Sequence, residues 1–304
     1  DYSFRKALTG KLSDQLQCTF FIAKTNKKII VAAGSLYSPC NPSVALIGPV
    51  CTDPEFRKKG LAGKVCQHLL NHLKAHGTQA VYLGVKNNEP AINLYNKLGF
   101  GKYCGIVMRR LFTDKNEFNK RYSPSQRTTI GKMGWQHFPE VSALLCQPAT
   151  MYSVDFSRHT FSTKYFEPER FLPVFVNMID TLEKLGGCAN ILETKERLSI
   201  VGLASINILP SAGQRHIAVL DFFALDGFTD KTQSLVSSTV KQFRNNFDRS
   251  IICYCLNCDM EKKRILKKLG AKQYSILPNY VDICGKQIDV MIYEISGNIT
   301  PETA

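Results

Sequence analysis

A short unit occurs twice in this chain, as AINLYNKLGFGKY at 91–103 and as KKRILKKLGAKQY at 262–274. Each copy reads as a brief helix, a Lys-Leu-Gly stop, and a strand entered through a tyrosine. The copies differ at one telling place, where Tyr95 in the first is Leu266 in the second. A duplicated helix-to-strand unit constrains the fold more than any composition figure. It predicts two related α/β domains, each longer than the simple solenoid periods. A length of 304 residues agrees with two domains.

The first half reads strand, strand, strand, helix, strand, helix, strand. CTFFIAK (18–24) and KIIVAAGSLY (28–37) flank a turn and predict a hairpin. SVALIGPV (43–50) is a third strand, in which Pro49 predicts a bulge or a splayed end. Apolar residues at 61, 62, 65, 66, 69, 70 and 73 keep helical spacing, and AVYLGV (80–85) is a buried strand. Pro90 opens a helix over 90–98, Gly99 closes it, and 100–112 reads as one strand. The polar segment 113–127 places a domain boundary, giving domains 1–122 and 123–304, the first lacking the opening strand and helix of the second. After a strand at TTIGKMG and the helices FPEVSALLCQ and 167–185, the order returns. A hairpin spans CANILETKERLSIVGLASINIL, followed by a strand HIAVLDFFAL, a helix 231–247, a strand SIICYCLN, a helix 260–269 and a closing strand pair.

No apolar run approaches the roughly 18–20 residues that span a bilayer, and no signal peptide is read, so a cytoplasmic protein is expected. Eleven scattered cysteines, several inside apolar runs (Cys66, Cys104, Cys146), fit buried thiols in a reducing compartment. Cys253 and Cys255 sit at strand spacing and predict core positions on one face rather than zinc ligands. The net charge of +14 is unevenly placed, with 19 Lys+Arg against 7 Asp+Glu in residues 1–123 and 20 against 18 in the rest. A basic first half suits a phosphorylated cofactor, an acidic substrate or nucleic acid, or is merely a solvated basic face. No stripe of interleaved aromatic and basic residues supports nucleic acid.

Between the third strand and its helix lies VCTDPEFRKKGLAGK (50–64). Strand, basic glycine-bearing turn and helix start are the arrangement that holds a pyrophosphate, because first-turn amides lack intrahelical partners. Gly60 and Gly63 let backbone approach an anion, and Ala62 avoids a wall. The string matches neither the Rossmann GxGxxG nor the P-loop. Taken with NNEPAINLYNKLGF, in this order and spacing, it resembles the two hallmark motifs of the GNAT superfamily of acyl-CoA N-acyltransferases. Arg57, Gly60 and Ala62 match the family's [RQ]xxGx[GA] loop, and Asn88, Ala91 and Tyr95 match its second motif. The resemblance covers 18–112 well and 127–295 in outline.

It implies two tandem GNAT-like domains, each a mixed, mostly antiparallel sheet flanked by helices. It further implies acetyl or another short acyl group moved from acyl-CoA to a small-molecule or protein amine. The backbone of Val50, Cys51 and Thr52 would hold the pantetheine arm. Arg57, Lys58, Lys59, Gly60, Leu61, Ala62, Gly63 and Lys64 would hold the pyrophosphate, and Asn88 the cofactor's arm. Tyr95 would donate a proton to the departing thiolate as general acid; taken alone it reads equally as a core aromatic. The third strand carries no carboxylate to act as base. Asp53 and Glu55 read as helix caps, and His68, His72 and His76 as solvated. That gap leaves a non-catalytic acyl-CoA-binding module as the alternative.

The second copy has no glycine from Phe228 to Ile251, and it places Asp226 and Asp230 where phosphates would sit. It is therefore expected not to bind acyl-CoA in the usual way, but to be structural or to wall a substrate cleft. No metal is expected in either copy.

Overall fold

The computed structural model describes residues 4–85, 89–157, 160–161, 173–209, 211–214, 216–283 and 285–295. Two compact units divide the chain. The first runs to Arg121 and takes in Gly134–Ala143; the second holds Tyr122–Met133, Leu144–Phe166 and the chain from Pro173 onward.

In the first unit, α1 (Phe4–Leu8) precedes the hairpin of β1 (Gln17–Lys24) and β2 (Ile29–Tyr37). Thr25 fastens the hairpin turn, its hydroxyl accepting from the amides of Lys27 and Lys28. Next come β3 (Val44–Thr52), α2 (Leu61–Ala75), β4 (Ala80–Gly84), α3 (Glu89–Lys97), β5 (Gly101–Cys104), β6 (Val107–Leu111) and α4 (Lys115–Asn119). The strands form one sheet in the order β1-β2-β3-β4-β6-β5. The expected single strand over 100–112 is corrected to a hairpin: Gly105 takes a φ of 49°, and the chain folds back so that Cys104 pairs with Val107. The periodicity of 100–112 is strand-like throughout, so only the glycine marked the reversal.

The Pro49 expectation holds. Ala33 pairs with Val50 but Ser35 with Ile47, so Gly34 faces an expanded turn of β3 at Gly48–Pro49. Meanwhile β3 runs parallel to β4 only from Val44↔Ala80 to Ile47↔Leu83, after which the two strands part. On one face of the sheet, Val65, Cys66, Leu69, Leu70 and Leu73 of α2 pack with Tyr95 and Leu98 of α3 over Val31, Ala33, Ala45, Ile47, Val81 and Leu83. At the unit's C-terminal side, the Arg121 guanidinium is buried and donates to Glu140, which also accepts from Asn41.

The second unit begins with β7 (Thr128–Lys132), then α5 (Phe138–Leu145, mostly counted with the first unit), β8 (Val154–Asp155) and β9 (Thr160–Phe161). Its main body is α6 (Pro173–Leu185), β10 (Gly187–Thr194), β11 (Ile200–Ile208), β12 (Ile217–Ala224), α7 (Thr229–Arg244), β13 (Ser250–Leu256), α8 (Met260–Lys268), β14 (Lys272–Ile283) and β15 (Lys286–Ile295). The predicted helix over 167–185 is described only from Pro173; residues 167–172 lie outside the described residues. The sheet order β7-β10-β11-β12-β13-β15-β14 repeats that of the first unit with β7 added at the edge. Cys253 and Cys255 are fully buried on one face of β13, as their spacing predicted.

The repeated motif has the same geometry in both units. Gly99 (φ 80°) and Gly270 (φ 71°) end their helices in the left-handed conformation. The amide of Phe100 reaches back to the Tyr95 carbonyl, and that of Ala271 to the Leu266 carbonyl, each at 3.0 Å. This helix stop explains why Lys-Leu-Gly is kept in both copies. Among the described residues, no helix is long and apolar enough to cross a membrane.

Candidate active site

Where β3 and β4 part, a cavity of about 680 Å³ opens between the end of β3, the following loop and α3. Val50, Cys51 and Thr52 line it from the strand, residues 57–63 from the loop and first helical turn, and Tyr95 from α3. Lys64 lines a neighbouring cavity of about 630 Å³ that shares Gly60 and Gly63. Asn88 lies outside the described residues. Sequence reasoning missed Phe56, Pro90 and Leu94, which also line the cleft. The signal for Leu94 was its place one position from Tyr95 on a short amphipathic helix; Phe56 carried none.

The loop is shaped for an anion. Gly60 precedes α2 with φ 73° and ψ 0°, and no side chain caps the helix. Among the described residues, the amides of Leu61, Ala62 and Gly63 therefore have neither an intrahelical acceptor nor a capping oxygen. Lys58 also takes a positive φ of 60°, so the turn is held in a conformation that ordinary residues avoid. The Arg57 side chain donates from Nε to the Thr52 carbonyl at 3.3 Å, tying the loop to the end of β3. A Cβ at Gly63 would stand 3.4 Å from Leu94 Cδ1, an ordinary contact. Gly60 meets nothing within 4 Å; its need is conformational.

Tyr95 is 9% exposed, with its ring edge-on to Phe100 at 5.9 Å. No hydrogen-bond partner for its hydroxyl is found among the described residues, and it borders the cavity. Burial, then the nearby Cys66 and Cys51 thiols, push its pKa up to about 12. The same burial lifts the Cys66 thiol to about 11. A sulfur anion in this place would likewise hold a proton more tightly than in water, so phenol and thiolate rise together.

The carboxylates beside the cleft are engaged elsewhere. Lys28 Nζ lies 3.0 Å from Asp53 Oδ2 and 2.8 Å from Glu55 Oε2. Asp53 also caps the turn Pro54–Phe56 by accepting from the Glu55 amide at 3.1 Å. Its hydrogen bond to Lys28 holds its carboxyl below the usual range, which makes it a poor base. The expectation of three solvated histidines is corrected at His72. That ring is half-buried against Phe21 (5.4 Å) and Tyr37 (6.4 Å), and burial, then His76, lower its pKa. His68 and His76 are exposed.

In the second unit the corresponding gap is filled. Strands β12 and β13 run parallel from Ile217↔Ser250 to Leu220↔Cys253, and Asp221 comes next. Residues 152–154 enter there. Ser153 Oγ and the Val154 amide donate to Asp221 at 2.5 and 3.2 Å, and the Tyr152 amide to Asp259 at 2.7 Å. Val154 packs on Leu256, past the point of parting. Lys262, fully buried in α8, donates to Asp221 Oδ1 at 2.6 Å and to the Tyr152 carbonyl at 2.9 Å. Burial opposes its charge, but Asp221 and the other neighbouring anionic groups outweigh this and hold its pKa above the ordinary lysine value.

Residues 2–100 match the model of the acetyltransferase (GNAT) family. The ribosomal protein bS18-alanine N-acetyltransferases of Salmonella typhimurium and Escherichia coli K12 are 35% and 33% identical to this chain over 54 residues, 17% of the chain and 36% of each relative. The chain thus spans about a third of the length of the curated relatives it matches, 36%. Among solved structures, an acetyltransferase of Salmonella typhimurium described with its cofactor acetyl-CoA is 12% identical, with a TM-score of 0.46 over 58% of this chain and 96% of that one. A ribosomal-protein-alanine N-acetyltransferase of Brucella melitensis is 13% identical, with a TM-score of 0.45 over 55% of this chain and 98% of that one. Two successive mixed sheets with one strand order fit tandem domains of this kind, and the match to the GNAT model falls within the first of them.

Proposed function

We propose that the first unit transfers an acetyl group from acetyl-CoA to a primary amine by direct attack. The single observation that carries this reading is the convergence on one cleft of three things: the free end of β3, a helix start with uncapped amides, and a tyrosine hydroxyl with no partner among the described residues. The uncapped amides and Arg57–Lys59 suit a pyrophosphate, so the residues present fit acetyl-CoA as co-substrate. The strand end at Val50–Thr52, past its pairing with β4, offers backbone groups to an extended amide-bearing arm as a neighbouring strand would.

In this scheme the amine nitrogen bonds to the thioester carbonyl carbon, the C–S bond breaks, and Tyr95 gives its proton to the sulfur. The acceptor's own proton leaves to water, since Asp53 and Glu55 are held by Lys28 and no carboxylate is among the described residues lining the cleft. The second unit, with its gap filled by its own chain, serves a structural role and takes no acyl-CoA.

The engaged carboxylates also support a second reading, an acyl-CoA-binding module without turnover. Free-thiol release from acetyl-CoA across a panel of amines separates the two. Tyr95→Phe is expected to leave acetyl-CoA affinity unchanged and lower kcat by about 10²–10⁴-fold, the usual worth of a positioned acid. An unchanged kcat removes Tyr95 from the chemistry, and binding without thiol release for any amine favours the module.

A further inference from the structure

The face of the first sheet opposite α2 and α3 is open beside the cleft. Phe21 and Ala23 of β1 pack into the α2–α3 core, so strand alternation turns Phe20 and Ile22 to the other face, where they are 43% and 46% exposed. Val50 packs into the same core, so its neighbour Cys51, also exposed, shares the face of Phe20 and Ile22. The pairings bring these residues side by side: Ile22 faces Ala32, and Ala32 faces Cys51. Phe20 pairs with Gly34 and lies over it. A Cβ on Gly34 would come within 2.7 Å of Phe20 Cε1 and 3.1 Å of the Gly48 carbonyl oxygen, so the ring sits where β3 leaves β4. Here a glycine is required by close approach alone, since its φ is ordinary.

We infer that this strip of Phe20, Ile22 and Cys51 receives the acceptor, and that the acceptor is a primary amine on an apolar or aromatic skeleton with no second positive charge. The inference rests on the proposed acetyl transfer and specifies its substrate class. An acyl carbon beside Tyr95 has α2 and α3 on one side, so the amine must come through the parted strands from the other. What it meets there is apolar surface, which favours a substituent that covers it. Among the described residues, the two carboxylates that follow β3 already hold Lys28, with which a second cation would have to compete. That competition selects against polyamines and lysine-rich segments.

Thiol release by the full chain tests this with phenethylamine and spermidine as acceptors. The wild type is expected to show a kcat/KM for phenethylamine at least about tenfold above that for spermidine. Phe20→Asp is expected to raise the KM for phenethylamine about tenfold, lower that for spermidine, and leave the KM for acetyl-CoA unchanged. Phe20→Leu keeps the apolar strip and is expected to keep the wild-type preference, which separates a lost contact from a lost fold. Preference for spermidine in the wild type, or an unshifted preference in a folded Phe20→Asp, overturns the acceptor class while transfer itself stands. Acetyl-CoA binding with no release to any amine overturns the transfer reading and the acceptor class with it.

Discussion

The two units stop their repeated helix in the same way and treat the gap between their parallel strands in opposite ways. In the first, β3 and β4 part after Ile47 and Leu83 and leave a cavity bordered by Tyr95. In the second, β12 and β13 part after Leu220 and Cys253, and the chain's own residues 152–154 fill the space. Packing alone accounts for what both copies keep: the left-handed glycine, the back-reaching amide and the buried leucines before it. What only the first keeps is a tyrosine bordering a cavity and the basic turn Arg57–Lys59 ahead of its helix; α7 also starts without a side-chain cap, but carries Asp230 in its first turn. The comparison teaches that a splayed pair of parallel strands is a costly feature. It must be filled either by a ligand or by the protein, because its edges carry unpaired backbone groups. The second unit fills it with a buried ion pair and hydrogen-bonded chain.

The largest expected effect on this comparison comes from the plug. Replacing Lys262 by Met leaves Asp221 buried and without its cation, a change worth about 3–5 kcal/mol of destabilisation. Hydrogen exchange of the β12 and β13 amides in the full chain is expected to accelerate accordingly. Adding Asp221→Asn, which removes the buried charge, keeps an oxygen for the Val154 amide and offers an N–H to the Ser153 hydroxyl, should restore most of the protection. Unaltered exchange in the single variant means the ion pair does not hold the gap closed.

A smaller effect is expected from Leu266→Tyr, which returns the missing hydroxyl to the second copy. Leu266 is fully buried, so the larger ring should cost about 1–3 kcal/mol through overpacking, read as a lower thermal midpoint. Thiol release should not rise. A gain of turnover would mean that the second gap opens to substrate.

How legible this was in the sequence depends on how local each cause is. Apart from the split of 100–112 into β5 and β6, the strands of both sheets, α2 and the bulge at Pro49 announce themselves through short-range periodicity and a proline. The αL position of Gly60 lies in a recognisable turn. By contrast, the pairing of Lys28 with Asp53 and Glu55 joins the turn before β2 to the turn after β3, and no pattern around either partner foretells it. The same holds for Lys262 and Asp221, and for the placement of Tyr152–Val154, a run too short to show a period. Gly34 looked like any strand glycine until the ring of Phe20 was found above it. His72 read as solvated because its helix neighbours are polar; the aromatic residues that cover it come from β1 and β2.

The smallest expected effect is on the pH profile. Tyr95 is lifted to about 12, so its acid form persists far above the ordinary tyrosine value. The rate should climb as the acceptor ammonium loses its proton and then stay level to about pH 11, with no alkaline fall near 10. A fall centred near the ordinary tyrosine value would show that the hydroxyl is not buried as described, or that another group is the acid.

One copy is expected to take acetyl-CoA and the other to be closed. Isothermal titration of the full chain with acetyl-CoA, in the wild type and in Gly60→Glu, tests it most directly. Glutamate at Gly60 puts a side chain on a backbone of φ 73° and a negative charge where the pyrophosphate would lie. The account predicts one site per chain in the wild type and none in the variant. Two sites in the wild type, or a site that survives Gly60→Glu with unchanged affinity, would contradict it.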